Sequence, residues 1–301
     1  MKPIIGYIGL GVMGNACANN LLKAGYPLHI YARRPEQMQG LIQAGAQPST
    51  SPQNMAQCCD IIFTNVSDTS DVQQVILGEQ GVILGAKAGS VVVDMSTILP
   101  SASRQIAAAL AEKNIEMLDA PVSGGSQGAI DGTLSIMVGG KAEVFQRILP
   151  VLQVMGKNIV HIGDSGAGQV AKACNQIIVT QTLAAIAEAF TLATAAGVDA
   201  GKVRQALLGG FAGSRMLDVH GQRMLTRNYT PGFKAQLHQK DMQIVQQFAA
   251  EQGVDLPSTD LVTAYINALV EAGLGEQDSA AMGTLFEQKA GVNFGCIGKD
   301  G

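Results

Sequence analysis

The sequence predicts an α/β chain: a doubly wound parallel sheet followed by an all-α domain, with one long helix between the two. Three observations predict it. Short apolar runs alternate with helix-forming stretches through the first half. A glycine-rich turn separates the first apolar run from the first helix. After about residue 163 the strand signals stop, and residues 168–196 then run with no proline and no glycine beyond Gly168.

Ile4 to Ile8 is a short apolar strand. Asn15 to Ala24 reads as a helix stopped at Gly25, a residue type that readily takes the left-handed turn ending a helix. Leu28 to Tyr31 is a second strand, and Pro35 to Ala44 a second helix stopped at Gly45. Ile61 to Val66, Val91 to Asp94 and Glu116 to Asp119 are further strands. Strands spaced by helices require crossover connections, hence a largely parallel sheet covered on both faces.

A helix over residues 168–196 would span roughly 40 Å at 1.5 Å per residue. Its stretch QIIVTQTLAAIAEAFTLATAA is apolar on most faces, which predicts burial nearly all round. More helices follow, broken at GGFAGS, NYTPGF, LPST and AGLGEQD. The expected domains are residues 1–163, of α/β type, and residues 164–301, all helical. So apolar a helix is hard to bury within so small a domain, so the expected assembly is a homodimer or homotetramer that uses it. The tail GVNFGCIGKDG is glycine-rich and reads as loosely held.

The composition narrows the class. Of 301 residues, 47% are hydrophobic and 15% charged, which suits a chain with a large core. The net charge is −4 and no basic cluster exceeds a pair, which argues against nucleic acid or an anionic membrane as partner. No uninterrupted apolar run reaches the ~20 residues of a spanning helix, and no signal peptide is read, so a soluble cytoplasmic protein is expected. The five cysteines (Cys17, Cys58, Cys59, Cys174 and Cys296) form no CxxC and suggest neither disulfides nor zinc. Vicinal Cys58 and Cys59 read as buried thiols. The four histidines are scattered and no metal site is expected.

Gly9, Gly11 and Gly14 form GxGxxG directly after a strand and at the opening of a helix. Gly9 makes the tight turn, Gly11 lets the backbone approach a pyrophosphate, and Gly14 lets the helix pack near the strand. The diphosphate of a dinucleotide then lies on free N–H groups at the helix N-terminus. Leu10, Val12 and Met13 complete this cofactor-binding turn, and Asn65 and Val66 are expected to join it. The second strand ends Tyr31-Ala32-Arg33-Arg34. A carboxylate there would accept from a ribose 2′-hydroxyl, whereas a guanidinium binds a 2′-phosphate. Arg33 and Arg34 therefore point to NADP(H), with NAD(H) possible. Solvated surface charge is the other reading of the pair.

Three further stretches carry chemistry. DAPVSGG, residues 119–125, places Ser123, Gly124 and Gly125 in a loop after a strand. Bare backbone donors there can hold a small carboxylate, or the stretch is a structural turn. In GAGQVAKACNQ, Lys172 and Asn175 lie three residues apart and share one helix face. A desolvated lysine has a lowered pKa and can exchange a proton near neutrality, which suits carbonyl reduction. An ordinary lysine snorkelling from a helix end is the alternative. Lys240 and Asp241, in HQKDM, read alone as a charged helix turn.

Taken in order, these stretches resemble the β-hydroxyacid dehydrogenase family, which includes 3-hydroxyisobutyrate dehydrogenases and tartronate semialdehyde reductases. The resemblance runs from IGLGVMG through DMST (94–97), DAPVSGG, GTLSIMVGG (132–140) and GAGQVAKACNQ to HQKDM. Within the family, CNQIIV, GGFAGSRMLD and RNYTPGFKAQLHQKDM are most similar to the tartronate semialdehyde reductase branch. The resemblance implies that Lys172 is the catalytic acid/base. It implies that Ser123, Gly124, Gly125 and Asn175 bind substrate. Thr97 falls in the nicotinamide–substrate contact, and Lys240 closes over cofactor or substrate. Asp241 would orient Lys240 or the catalytic helix. The implied reaction is NAD(P)H-dependent reduction of a 2-hydroxy-3-oxo acid to a 2,3-dihydroxy acid, as in glyoxylate metabolism. The alternatives are 3-hydroxyisobutyrate, glyoxylate or succinic semialdehyde as substrate, or a nucleotide sensor without turnover. The active site is expected in a cleft between the domains, since Ser123 would belong to one and Lys172 to the other. Ala32 stands where this branch often has a carboxylate, a departure that favours NADP(H).

Overall fold

The computed structural model describes residues 2–295. The chain divides into two compact units, Met1–Lys172 and Ala173–Gly301. The expectations placed on Cys296 and on the rest of the tail beyond residue 295 lie outside the described residues.

In the first unit nine strands form one sheet: β1 (Ile5–Ile8), β2 (Leu28–Tyr31), β3 (Gln47–Pro48), β4 (Ile61–Thr64), β5 (Val91–Asp94), β6 (Glu116–Asp119), β7 (Val122–Ser123), β8 (Leu134–Gly139) and β9 (Gly156–Gly163). The order is β3-β2-β1-β4-β5-β6-β8-β7, with β9 paired to β8. Strands β1 to β6 pair in parallel, and β8 turns antiparallel to β6. The helices of this unit are α1 (Val12–Lys23), α2 (Gln39–Gln43), α3 (Pro52–Ala56), α4 (Thr69–Leu77), α5 (Pro100–Ala111), α6 (Gly125–Ile130) and α7 (Ala142–Leu152).

The central strands are apolar throughout because helices cover both faces of the sheet. Period-two alternation sends Ile5, Tyr7, Phe63 and Leu118 into one core, with Leu21 and Ile148 from the helices. It sends Ile8, Ile62, Val92 and Met117 into a second, with Val72 and Ile106. The parallel α/β domain is therefore as expected. Strands β7, β8 and β9 extend it beyond the last strand read from sequence, and the short β3 adds a strand that the sequence reading did not include.

Helix α8 (Ala167–Ala195) runs 29 residues. It is followed by α9 (Ala200–Leu208), α10 (Arg215–Thr226), α11 (Ala235–Gln252), α12 (Pro257–Leu269) and α13 (Met282–Ala290). The core of the second unit gathers Leu183, Ala187, Phe190, Met224, Met242 and Ile266. Two expectations need correction. The long helix is not buried all round: Ile178 is 66% and Leu192 74% exposed, and Cys174 and Ala185 lie on the exposed side as well. The surrounding helices are too few to wrap a cylinder apolar on most faces. Its length and hydropathy also meet the requirement for crossing a membrane. The count of uninterrupted apolar residues missed this because Gln, Thr and Glu punctuate the run. Leu183, Ala187 and Phe190 are nevertheless fully buried within the helical core. Of the vicinal cysteines only Cys59 is buried; Cys58 is exposed, because it lies in the turn before β4 with its side chain outward.

Candidate functional site

The loops that leave the C-terminal ends of β1, β4, β5 and β6 assemble the site, as the doubly wound topology requires. At β1, Gly9 takes φ +92°, and a Cβ there would lie 2.2 Å from the Asn65 carbonyl oxygen. A Cβ on Gly14 would lie 2.0 Å from the Gly9 oxygen. Gly11 differs: a Cβ there meets nothing within 4 Å. It caps α1 without a side-chain hydrogen bond, so the first amides of that helix keep no cap. Asn65 Nδ2 is buried with no hydrogen-bond partner among the described residues. Val66 N donates to Ser96 Oγ at 2.9 Å. A tight turn, an open approach and uncapped amides fit the diphosphate of a dinucleotide. Leu10 is buried, Met13 half-buried and Val12 exposed along this turn.

The start of α8 is tied to the same sheet edge. Asp119, the last residue of β6, accepts from Gly166 N at 2.7 Å through Oδ1 and from Gln169 N at 2.9 Å through Oδ2. The Gln169 side chain bridges to the loop after β5: Oε1 accepts from Ile98 N at 3.1 Å and Nε2 donates to Ser96 O at 2.8 Å. Gly168 fits because a Cβ there would lie 2.3 Å from Met137 O. Lys172 follows one turn later and is 7% exposed. By compactness Lys172 falls at the end of the first unit, which also holds Ser123. The reason is physical: the first turn of α8 is hydrogen-bonded into the sheet edge.

Two buried carboxyls stand side by side on adjacent strands, Asp94 opposite Asp119. Burial pushes Asp94 up to about 6, against hydrogen bonds from Ser96 and Thr64 and with the added repulsion of Asp119. Its Oδ1 accepts from Thr64 Oγ1 at 2.8 Å and Ser96 N at 3.1 Å; Oδ2 has no partner among the described residues. Burial also raises Asp119, with the amides of Gly166 and Gln169 pulling the other way. Thr97, in the loop after Asp94, is half-buried.

Ser123 ends β7, and Gly124 and Gly125 follow with φ of +135° and +64°, a backbone shape that side chains rarely adopt. Helix α6, which they open, is fastened to α1: Asn20 Nδ2 donates to Ala129 O at 2.8 Å. Arg33 and Arg34 are exposed beyond β2, with Ala32 buried before them. Arg33 forms a two-point ion pair with Asp71 at the start of α4, at 2.8 and 3.2 Å. Exposed pairs of this kind are worth about 0–1 kcal/mol and are readily exchanged.

In the helical unit, Asn175 Nδ2 donates to Gln176 Oε1 at 2.8 Å, and Gln176 Nε2 donates to Asp241 Oδ2 at 2.7 Å. Lys240 Nζ lies 2.8 Å from Asp241 Oδ1. Sequence reading missed Gln169, Ser96, Asp71, Gln176 and the capping role of Asp119. Asp119 and Gln169 stood inside quoted motifs, and a carboxylate at a strand end facing a glycine-led helix start was the available signal. Asp71 had none, since its partner is 38 residues away.

Comparison with known proteins decides the class. The NAD-binding domain of 6-phosphogluconate dehydrogenase matches residues 4–163. The NAD-binding region of NADP-dependent 3-hydroxyisobutyrate dehydrogenase matches residues 166–286. The chain is 42% identical to 2-hydroxy-3-oxopropionate reductase of Escherichia coli (strain K12), over 95% of this chain and 98% of that one. The chain belongs to the NAD(P)-dependent β-hydroxyacid dehydrogenases. This family member is also 35% identical to the NAD-dependent L-serine dehydrogenase of Pseudomonas aeruginosa, over 95% and 99% of the two chains. The crystal structure of 3-hydroxyisobutyrate dehydrogenase from Salmonella typhimurium superposes with a TM-score of 0.83 at 31% identity, covering 93% and 99%. The dehydrogenase is therefore an oxidoreductase with an NAD(P)-binding domain, acting on hydroxyl groups.

The raised Asp94 carboxyl links stability to pH. The folded chain keeps that proton to about pH 6, whereas an unfolded aspartate releases it near pH ~4. The folded state therefore binds more protons in between, and stability falls as pH rises through the window. Asp94→Asn removes this dependence. Urea denaturation at pH 4.5 and 7.5 should show the variant gaining on the order of 2 kcal/mol relative to the native chain at the higher pH. A difference that does not vary with pH contradicts the assignment.

Proposed function

We propose that this dehydrogenase reduces 2-hydroxy-3-oxopropionate (tartronate semialdehyde) to glycerate, with NADPH preferred and NADH possible. One observation carries the reading: a buried lysine, Lys172, one turn beyond a helix start pinned at the sheet edge that also carries the glycine turn. The full-length similarity to the Escherichia coli reductase supports this substrate over 3-hydroxyisobutyrate, glyoxylate or succinic semialdehyde.

In this reading Gly9 to Gly14, Asn65, Val66 and Thr97 hold the cofactor, and Arg33 and Arg34 meet its 2′-phosphate. When bound, the cofactor supplies the hydride that reaches the aldehyde carbon. Lys172 donates the proton that the carbonyl oxygen needs as it becomes an alkoxide, and takes it back in the reverse direction. The backbone N–H groups of Ser123, Gly124 and Gly125 receive the substrate carboxylate. Asn175 binds the hydroxyl region, and Lys240 closes over substrate or cofactor. The exposed apolar stripe of α8 supports a homodimer or homotetramer, with a small hydroxy or aldehyde acid as the substrate in a cytoplasmic setting.

Lys172→Ala should lower kcat by at least about 10²–10⁴-fold, the usual contribution of a positioned acid/base group, while NADPH binding measured by fluorescence persists. Undiminished turnover would remove Lys172 from the mechanism. For the cofactor, Arg33→Ala should shrink the NADPH/NADH ratio of kcat/KM. Asp71→Asn, which releases Arg33 from its ion pair, should raise it several-fold. A native preference for NADH rejects the arginine reading. Leu192→Glu should dissociate the assembly seen by light scattering if α8 forms the interface; an unchanged mass rejects that interface.

A further inference from the structure

The contacts between α8 and α11 fix which way round two amides point. Asp241 is 2% exposed, and an ionised carboxylate can only accept hydrogen bonds. Gln176 must therefore turn its Nε2 to Asp241, at 2.7 Å, which turns its Oε1 away. That oxygen takes Nδ2 of Asn175 at 2.8 Å. The Asn175 amide is oriented in turn, with its nitrogen committed to Gln176 and Oδ1 left as the acceptor edge. A flip of Asn175 would set its oxygen against the Gln176 oxygen, two acceptors facing each other. The other carboxylate oxygen, Oδ1, lies 2.8 Å from the Lys240 ammonium.

We propose that Gln176 and Asp241 are positioning residues that make Asn175 present an acceptor to substrate. The site thereby selects short aldehyde acids carrying a hydrogen-bond donor, a hydroxyl, on the carbon beside the carbonyl. This inference rests on the reading above that Asn175 meets that part of the substrate. An acid with hydrogen or methyl at this carbon leaves Oδ1 without its donor. A mis-set amide would offer N–H instead and lose the distinction. The role differs from general scaffolding, because a scaffold defect lowers turnover of every substrate together.

The test compares kcat/KM with NADPH for tartronate semialdehyde and for malonate semialdehyde, which lacks only the hydroxyl. Native protein, Asp241→Asn and Gln176→Leu are measured side by side. The native chain should favour the hydroxylated acid. Both variants should lose that preference by about tenfold, the worth of one hydrogen bond, chiefly through KM for the hydroxylated acid. Gln176→Leu severs the relay and leaves the Asp241 carboxyl in place beside Lys240, so it decides the matter if Asp241→Asn fails to fold. Native turnover of both acids with no preference, or a preference unchanged in the folded variants, overturns the proposal and leaves the reductase reading intact. Native turnover of neither acid overturns the substrate reading and this inference with it.

Discussion

The carboxylate of Asp119, closed over the first amides of α8, is the contact on which the site depends. It joins the end of a core strand to the start of the longest helix through two hydrogen bonds of 2.7 and 2.9 Å. A charged cap of this kind satisfies orphan amides and opposes the positive end of the helix dipole. Gln169 doubles the attachment by reaching into the loop after β5. Lys172 is placed by these bonds and by the helix pitch, with no loop between anchor and ammonium group. A catalytic group carried on a rigid element in this way keeps its geometry better than one carried on a loop.

Burial and charge are balanced around that anchor. Asp94 and Asp119 stand on neighbouring strands beneath the loops, and burial raises the proton affinity of both. Asp119 has amide donors on both oxygens, whereas Asp94 has donors on one. The two carboxyls thus have different surroundings although strand register pairs them. In the helical unit the same acceptor-only chemistry acts over a longer reach, where Asp241 sets the orientation of Gln176 and Gln176 that of Asn175. In the proposed reaction, one carboxylate places the proton donor and another sets the polarity of the group that reads the substrate.

Much of the fold was legible because its signals are local. The runs Leu28–Tyr31, Val91–Asp94 and Glu116–Asp119 are strands with the expected limits. The long helix matches the stretch free of proline and internal glycine. The first helix begins at Val12 rather than Asn15, because the glycine turn feeds straight into it. Strands β3, β7, β8 and β9 were missed: β3 and β7 are only two residues each, and β9 alternates exposed and half-buried residues at the sheet margin. Gly9, Gly11 and Gly14 were legible because each glycine answers a separate steric demand. The polar contacts were not, since Asp119 with Gln169 and Gln176 with Asp241 join residues 50 and 65 positions apart. The spacing of a linear sequence does not encode such pairs, and the exposed stripe of α8 likewise depends on which helices happen to cover it.

The central claim is that the anchored start of α8 delivers Lys172 to the oxygen being reduced. A crystal structure of the native chain with NADP and glycerate tests it most directly. The account predicts Lys172 Nζ within about 3 Å of the terminal hydroxyl of glycerate, the atom that derives from the aldehyde oxygen. A lysine nitrogen turned away from that hydroxyl and facing bulk water would contradict it.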